Sequence, residues 1–141
     1  MKSTGSAVWQ GGLKDGKGQI STESGVLKDT PYGFASRFEN KSGTNPEELI
    51  GAAHAGCFSM ALSMILGEAG FTAESLATQA TVTLQEADGG FAITQINLTL
   101  NAKVPGLAED QFQELANKAK EGCPVSKVLN AKIQLDATLE S

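Results

Sequence analysis

The chain has 141 residues, enough for one hydrophobic core and too few for a second sizeable domain. Its residues are 40% hydrophobic and 19% charged, the composition of a folded globular domain and not of a disordered segment. The 11 basic and 16 acidic residues give a net charge of -5 and no positive footprint for nucleic acid, so we predict a single domain over 1–141 without a nucleic-acid partner.

The N-terminal third predicts three strands. Residues 7–22 favour two short strands around Asp15-Gly16, a dipeptide that tolerates the positive φ of a tight turn. Apolar and polar residues then alternate over Phe34–Phe38. This alternation predicts a strand with its two aromatic residues on one face and Arg37 pointing away from them.

A long helix is predicted from about Asn45 to Glu68, closed by Gly70. Asn45 suits a capping position, Pro46 suits the first turn, and the two glutamates that follow complement the helix dipole. Residues 49–67 carry no charge, but their glycines and polar side chains, and the acidic residues flanking them, argue against a membrane span. We therefore expect a helix buried on all sides, with a stripe of small residues that permits close approach of another backbone.

The second half predicts a hairpin, two helices and a last strand. The alternation of apolar residues slips between Ile93 and Ile96, which indicates a β-bulge in the hairpin. The elements are strands over 76–104 around Asp88-Gly89-Gly90, an amphipathic helix over 107–122, a short helix from Pro124 and a strand over 131–139. This order implies an α+β fold.

Two cysteines, Cys57 and Cys123, are candidate redox groups. Residues 1–6 lack the apolar core of a signal peptide, so we expect a cytoplasmic location, where a persistent structural disulfide is unusual. Cys57 lies in the apolar helix, where a free cysteine most often acts as a small hydrophobe. Cys123 precedes a helix whose N–H groups favour a thiolate, so local electrostatics nominate Cys123 as the reactive thiol.

Arg37 and His54 are further candidates. Arg37 is the only arginine beside ten lysines, and its guanidinium can pair with a carboxylate while donating to a thiolate or peroxide; the alternative is an ordinary exposed arginine. His54 lies three residues before Cys57, which permits a Cys/His pair, although most such histidines are satisfied core groups. No further ligands at zinc spacing accompany it, so no metal is expected.

Three segments resemble the OsmC branch of the OsmC/Ohr family of thiol-dependent hydroperoxide reductases. They are NPEELIGAAHAGCFSMAL at 45–62, YGFASRF at 32–38 and GCPVSKVL at 122–129, so the resemblance covers essentially the whole chain. It implies an intertwined homodimer in which antiparallel sheets pack around long central helices that carry the reactive cysteine. The implied activity is a peroxidase acting in oxidative and osmotic stress defence.

The resemblance also implies roles for individual residues. Cys57 becomes the peroxidatic thiol and Cys123 the resolving one. This reverses the order of reactivity that the position of Cys123 before a helix suggests. Arg37 would stabilise the Cys57 thiolate and Glu47 would orient Arg37. An external dithiol, similar to a lipoyl dithiol, would regenerate the disulfide without a bound cofactor. Candidate walls of the substrate pocket are Phe38, Ile50, His54, Phe58, Met60 and Met64; the alternative for most of them is plain core packing.

The spacing of Glu47 and Cys57 bears on assembly. Ten residues of helix separate them, about 15 Å along a straight axis, so the two cannot easily share a site within one chain. We expect Glu47 and Arg37 to reach Cys57 from the partner of a homodimer. Two other functions are open: a non-enzymatic stress or ligand-binding homodimer with inert cysteines, and a redox sensor that uses the same cysteine pair.

Overall fold

A computed structural model describes residues 1–140, which fall into two compact units, 1–49 and the residues from 50 onward. The first unit contains β1 (Gly5–Gln10), β2 (Lys17–Thr22), β3 (Thr30–Tyr32), α1 (Phe34–Phe38) and the start of α2 (Pro46–Glu68). The second contains the rest of α2, β4 (Ser75–Ala87), β5 (Gly90–Lys103), α3 (Glu109–Gly122), α4 (Pro124–Val128) and β6 (Lys132–Leu139). The predicted α+β fold is confirmed.

The first unit is built on an antiparallel sheet of order β1-β2-β3. Gln10 pairs with Lys17, so a six-residue loop joins the first two strands in place of a tight two-residue turn. The positive φ of this loop, 94°, lies at Gly11 and not at the predicted Asp15-Gly16. Gly16 is needed for a different reason: a Cβ there would collide with the carbonyl oxygen of Gly12.

Residues 34–38 form helix α1, so the prediction of a strand there is wrong. The hydroxyl of Ser36 explains the helix: it accepts a hydrogen bond from the Gly33 N–H at 2.9 Å and donates to the Thr44 carbonyl at 2.8 Å. A serine that satisfies nearby backbone groups in this way competes with strand pairing. The third strand, β3, precedes the helix instead.

The aromatic residues of α1 still share one face, because residues four apart are neighbours on a helix. The ring centroids of Phe34 and Phe38 are 5.0 Å apart. Arg37, however, does not point away from them, since its guanidinium carbon lies 5.4 Å from the centroid of the Phe38 ring. That part of the prediction is also wrong.

Helix α2 begins and ends as predicted. The Asn45 side chain accepts a hydrogen bond from the Glu48 N–H at 2.7 Å, which caps the first turn. At the other end Gly70 has a φ of 91°, and the Phe71 N–H bonds back to the Leu66 carbonyl at 2.8 Å. By length and composition this helix is apolar enough to cross a membrane, and 33% of its most apolar window is buried in the chain.

The surface of α2 is divided into two faces. The covered face carries large core residues: Phe58, Leu62, Ile65 and Leu66. The open face carries exposed residues: Ala52, Ala53, Gly56, Met60, Ser63, Met64 and Gly67. Burial on all sides is therefore wrong for the single chain, because the residues of the open face are exposed in the described part of the chain, residues 1–140.

The second unit contains a sheet of order β4-β5-β6, antiparallel in the hairpin and parallel between β5 and β6. Asp88 and Gly89, with φ of 50° and 82°, form the hairpin turn. No residue of β4 stands opposite Thr94 where the register shifts, which confirms the predicted bulge. The core side of the sheet and α3 supply most of the remaining buried side chains: Leu98, Leu100, Ala102, Phe112, Ala116 and Ala119.

Candidate active site

The fold of the second unit brings the two cysteines together. Cys57 projects from the middle of α2, and Cys123 stands at the joint between α3 and α4. A hydrogen bond of 2.9 Å joins their sulfur atoms, and both thiols are free. Because a disulfide has an S–S distance of about 2.0 Å, closing the pair needs a movement of roughly 1 Å.

The two sulfurs differ in their access to solvent. Cys123 is 0% exposed and belongs to the core, whereas Cys57 is only partly buried and lies at the edge of that core. A molecule arriving from solvent can therefore meet Cys57 before Cys123. This difference agrees with the order of attack that the family resemblance implies.

The electrostatic environment inside the chain favours the opposite order. Burial raises the pKa of Cys57, and the hydrogen bond with Cys123 raises it further. Burial also acts to raise the pKa of Cys123, but its hydrogen bond with the Cys57 thiol and the nearby polar groups of Ser126 outweigh burial and leave that pKa lowered. Negative charge within one chain therefore rests more easily on Cys123, as its position before a helix suggests.

His54 bonds to a serine and not to a cysteine. Its Nε2 lies 2.7 Å from the Ser126 hydroxyl, although the two residues are 72 positions apart. The ring is fully buried, burial lowers the pKa of His54, and Nδ1 has no hydrogen-bond partner in the described chain. Ser126 was missed by the sequence reasoning, although it lies within the GCPVSKVL segment, three residues after Cys123.

The first unit holds the predicted partners of the thiolate as an ion pair. Arg37 Nε donates to the two carboxylate oxygens of Glu47 at 3.0 and 3.2 Å, and Nη2 donates to Oε1 at 2.6 Å. The Glu47 side chain is 11% exposed and that of Arg37 is 38% exposed. The carboxylate thus fixes one side of the guanidinium.

The residues predicted to line a substrate pocket lie in different environments. Phe58 and His54 are fully buried, Ile50 is half-buried, and Phe38, Met60 and Met64 are 37%, 77% and 61% exposed. A cavity of about 400 Å³ lies in the first unit, lined by residues that include Lys14, Tyr32 and Phe34 but by none of the predicted walls. Within residues 1–140, no group of three His, Cys, Asp or Glu side chains is placed to hold a metal ion.

A thiol pair on this α+β scaffold matches a known class of proteins. The family model for OsmC-like protein matches residues 39–138. The chain is 60% identical over 137 residues to peroxiredoxin OsmC of Escherichia coli K12, covering 97% of this chain and 96% of that protein. It is 33% identical over 124 residues to the organic hydroperoxide resistance protein OhrB of Bacillus subtilis, covering 87% and 89%.

The solved structures agree with this match. The crystal structure of Bacillus subtilis OhrB superposes with a TM-score of 0.72 at 32% identity, over 96% of this chain and 98% of that chain. The chain therefore belongs to the OsmC-like protein family. The predicted enzyme class, a peroxidase, is confirmed together with the family.

Proposed function

We propose that the chain is a two-cysteine peroxidase that reduces organic hydroperoxides to alcohols in defence against oxidative and osmotic stress. The contact of 2.9 Å between a partly exposed Cys57 and a fully buried Cys123 carries this proposal. The substrate class is supported by the names of relatives, among them organic hydroperoxide resistance proteins.

The chemistry uses both thiols in turn. The Cys57 thiolate attacks the terminal oxygen of the peroxide, the O–O bond breaks, and the alkoxide takes a proton and leaves as the alcohol. Cys57 is then a sulfenic acid. The sulfur of Cys123 attacks the Cys57 sulfur, the S–O bond breaks, and water leaves with the thiol proton of Cys123. An external dithiol reduces the resulting disulfide and becomes oxidised itself.

Cys57 needs a cation to become a thiolate, since its own chain raises its pKa. The Arg37–Glu47 ion pair offers a guanidinium that is oriented on one side and still partly exposed. The ten-residue helical spacing between Glu47 and Cys57 favours supply of this pair by a second copy of the chain. Arg37 would then lower the pKa of Cys57 and stabilise the developing negative charge.

The open face of α2 supports a homodimer. Met60 and Met64 are exposed there, and a Cβ on Gly56 or Gly67 would meet nothing within 4 Å. A second copy related by a two-fold axis would cover these side chains and form two equivalent sites. Lipid is the less suitable cover, because acidic residues flank the helix where basic ones usually anchor a span. In the dimer, Phe38, Met60 and Met64 become apolar walls for the organic part of the substrate.

The reductant and the location belong to the same proposal. We expect a dithiol of the lipoyl type and no bound cofactor. The two free thiols suit the reducing conditions of the cytoplasm, where the disulfide forms only during turnover.

Counting free thiols by mass spectrometry before and after one equivalent of cumene hydroperoxide tests the proposal. The wild type should lose two hydrogens, Cys123→Ser should hold a sulfenic acid, and Cys57→Ser should not react. If both thiols of the wild type survive, the two-cysteine mechanism is wrong and a ligand-binding role replaces it. If the disulfide forms but a dithiol sustains no turnover, a redox sensor fits better.

A further inference from the structure

The hydrogen bond between His54 and Ser126 lies beside the thiol pair and has no part in the reaction described above. It joins two distant segments at 2.7 Å, and it buries an imidazole completely. The Nδ1 atom of that ring has no partner in the described chain. Burying an unpaired nitrogen costs free energy, and an apolar side chain at this position would avoid that cost. The imidazole therefore calls for a role other than filling space in the core.

The hydrogen bond ties the helix that carries Cys57 to the helix that follows Cys123. His54 lies three residues before Cys57 on α2, and Ser126 lies three residues after Cys123, which stands at the start of α4. Each partner is therefore about one helical turn from a thiol. The same two segments also meet where the two sulfur atoms are 2.9 Å apart.

We propose that His54 and Ser126 are positioning residues that hold the Cys123 sulfur ready to attack the Cys57 sulfenic acid. Their hydrogen bond of 2.7 Å holds α4, and with it Cys123 at the start of α4, against α2. This inference rests on the proposed two-cysteine function. A buried imidazole with a lowered pKa stays neutral, so the hydrogen bond holds without a charge on His54.

The His54–Ser126 hydrogen bond assists the second step of the reaction, in which the disulfide forms. The Cys57–Cys123 bond forms, the S–O bond of the sulfenic acid breaks, and the departing hydroxyl leaves as water with the Cys123 proton. Ser126 and His54 are unchanged at the end. Attack of Cys57 on the peroxide uses neither residue, so removing the hydroxyl should slow disulfide closure alone. The loss of one hydrogen bond that positions the attacking sulfur corresponds to roughly tenfold in the closing rate.

Rapid mixing with one equivalent of cumene hydroperoxide, acid quenching and intact-mass spectrometry resolve the two steps. In Ser126→Ala and His54→Leu, the sulfenic acid should appear at the wild-type rate and close about tenfold more slowly. Ser126→Thr keeps a hydroxyl and His54→Gln keeps an amide that can donate or accept, so both should close at close to the wild-type rate.

Ser59→Ala is the matched control. Ser59 also belongs to α2 and makes a hydroxyl hydrogen bond of 2.7 Å, to Thr78, but it has no bond to either thiol. Its removal should leave both steps unchanged.

The outcomes separate the inference from the function on which it rests. If the wild type forms no sulfenic acid or disulfide, the proposed function fails. If Ser126→Ala forms the sulfenic acid and closes at the wild-type rate, only the positioning role is wrong. Slow closure in both Ser126→Ala and Ser126→Thr, or slowing of both steps, would make Ser126 a structural residue and also overturn the inference. Should His54→Leu fail to fold, the two Ser126 variants decide.

Discussion

The two faces of helix α2 are made from the same uncharged segment and have opposite surroundings. On the covered face Phe58 and Leu62 are fully buried, whereas on the open face Met60 and Met64 are 77% and 61% exposed. An absence of charge therefore does not tell which side of a helix its own chain will cover. The exposed half is available to a second surface, and Cys57 lies partly buried between the two.

The largest effect is expected on the covered face. Phe58→Ala should lower the free energy of unfolding by about 3–5 kcal/mol, because it removes a fully buried ring and leaves a cavity in the core. Urea unfolding followed by circular dichroism measures this. Val26→Ala, at a side chain that is 84% exposed, is the control and should stay within about 0.5 kcal/mol. A loss below about 1 kcal/mol at Phe58 would mean that the covered face is not packed as described.

A charge on the open face should break the dimer. Met60→Lys leaves the single chain unharmed but places an unpaired charge in the proposed interface, so the dimer dissociation constant should rise by roughly a hundredfold or more. Sedimentation equilibrium measures the constant, and peroxidase turnover should fall with the dimer. Val26→Lys adds the same charge at another exposed site and should change neither. A fully active Met60→Lys dimer would show that another surface forms the interface.

Adding one methyl group to a glycine of α2 should have opposite effects on the two faces of the helix. A Cβ on Gly51 would stand 2.9 Å from the carbonyl oxygen of Ala80, whereas one on Gly56 would meet nothing within 4 Å. The comparison is made in a Met60→Lys background, so that the proposed dimer does not cover the open face. There, Gly51→Ala should lower the free energy of unfolding by about 1–3 kcal/mol through overpacking. Gly56→Ala should stabilise by roughly 0.5–1 kcal/mol through helix propensity. Thermal unfolding of both variants checks the sign, and equal effects would remove the distinction between the faces.

The smallest effect concerns pH on the covered face. Because burial lowers the pKa of His54, the unfolded chain binds a proton more readily than the folded chain, so stability falls as pH drops below the ordinary value of 6.5. His54→Gln should lose this slope, since glutamine does not titrate. Urea unfolding at several pH values between about 5 and 8 compares the two proteins. The same slope in both would mean that His54 is not the group responsible.

Much of the fold follows from local rules that the sequence states plainly. Asn45 and Gly70 mark the ends of α2, and the slipped alternation near Thr94 marks the bulge. Residues 34–38 were mistaken for a strand because two aromatic residues four positions apart share a face in either periodicity. The hydrogen bond from Ser36 to the distant Thr44 carbonyl favours the helix, and no local pattern reveals it.

The site was predictable in part. The resemblance named Cys57 and Cys123. Their separation of 66 residues in the sequence does not say how far apart they lie in space, because the 2.9 Å contact depends on how the second unit packs. The Arg37–Glu47 bond is likewise a tertiary contact, between α1 and the first turn of α2. Ser126 was overlooked because a lone serine in a short helix has no distinctive pattern; only its position beside a buried histidine marks it.

The parallel pairing of β5 with β6 helps to fix the place of Cys123. Parallel neighbours need a crossover, and here α3 and α4 form it, with Cys123 at their joint. The crossover is tied to the last strand, since Gln113 of α3 donates to the Ala137 carbonyl at 2.8 Å. Through this tie, the position of Cys123 depends on the pairing of β6 with β5 as well as on its own contact with Cys57. The thiol pair is thus anchored by a strand that contributes no residue to the reaction.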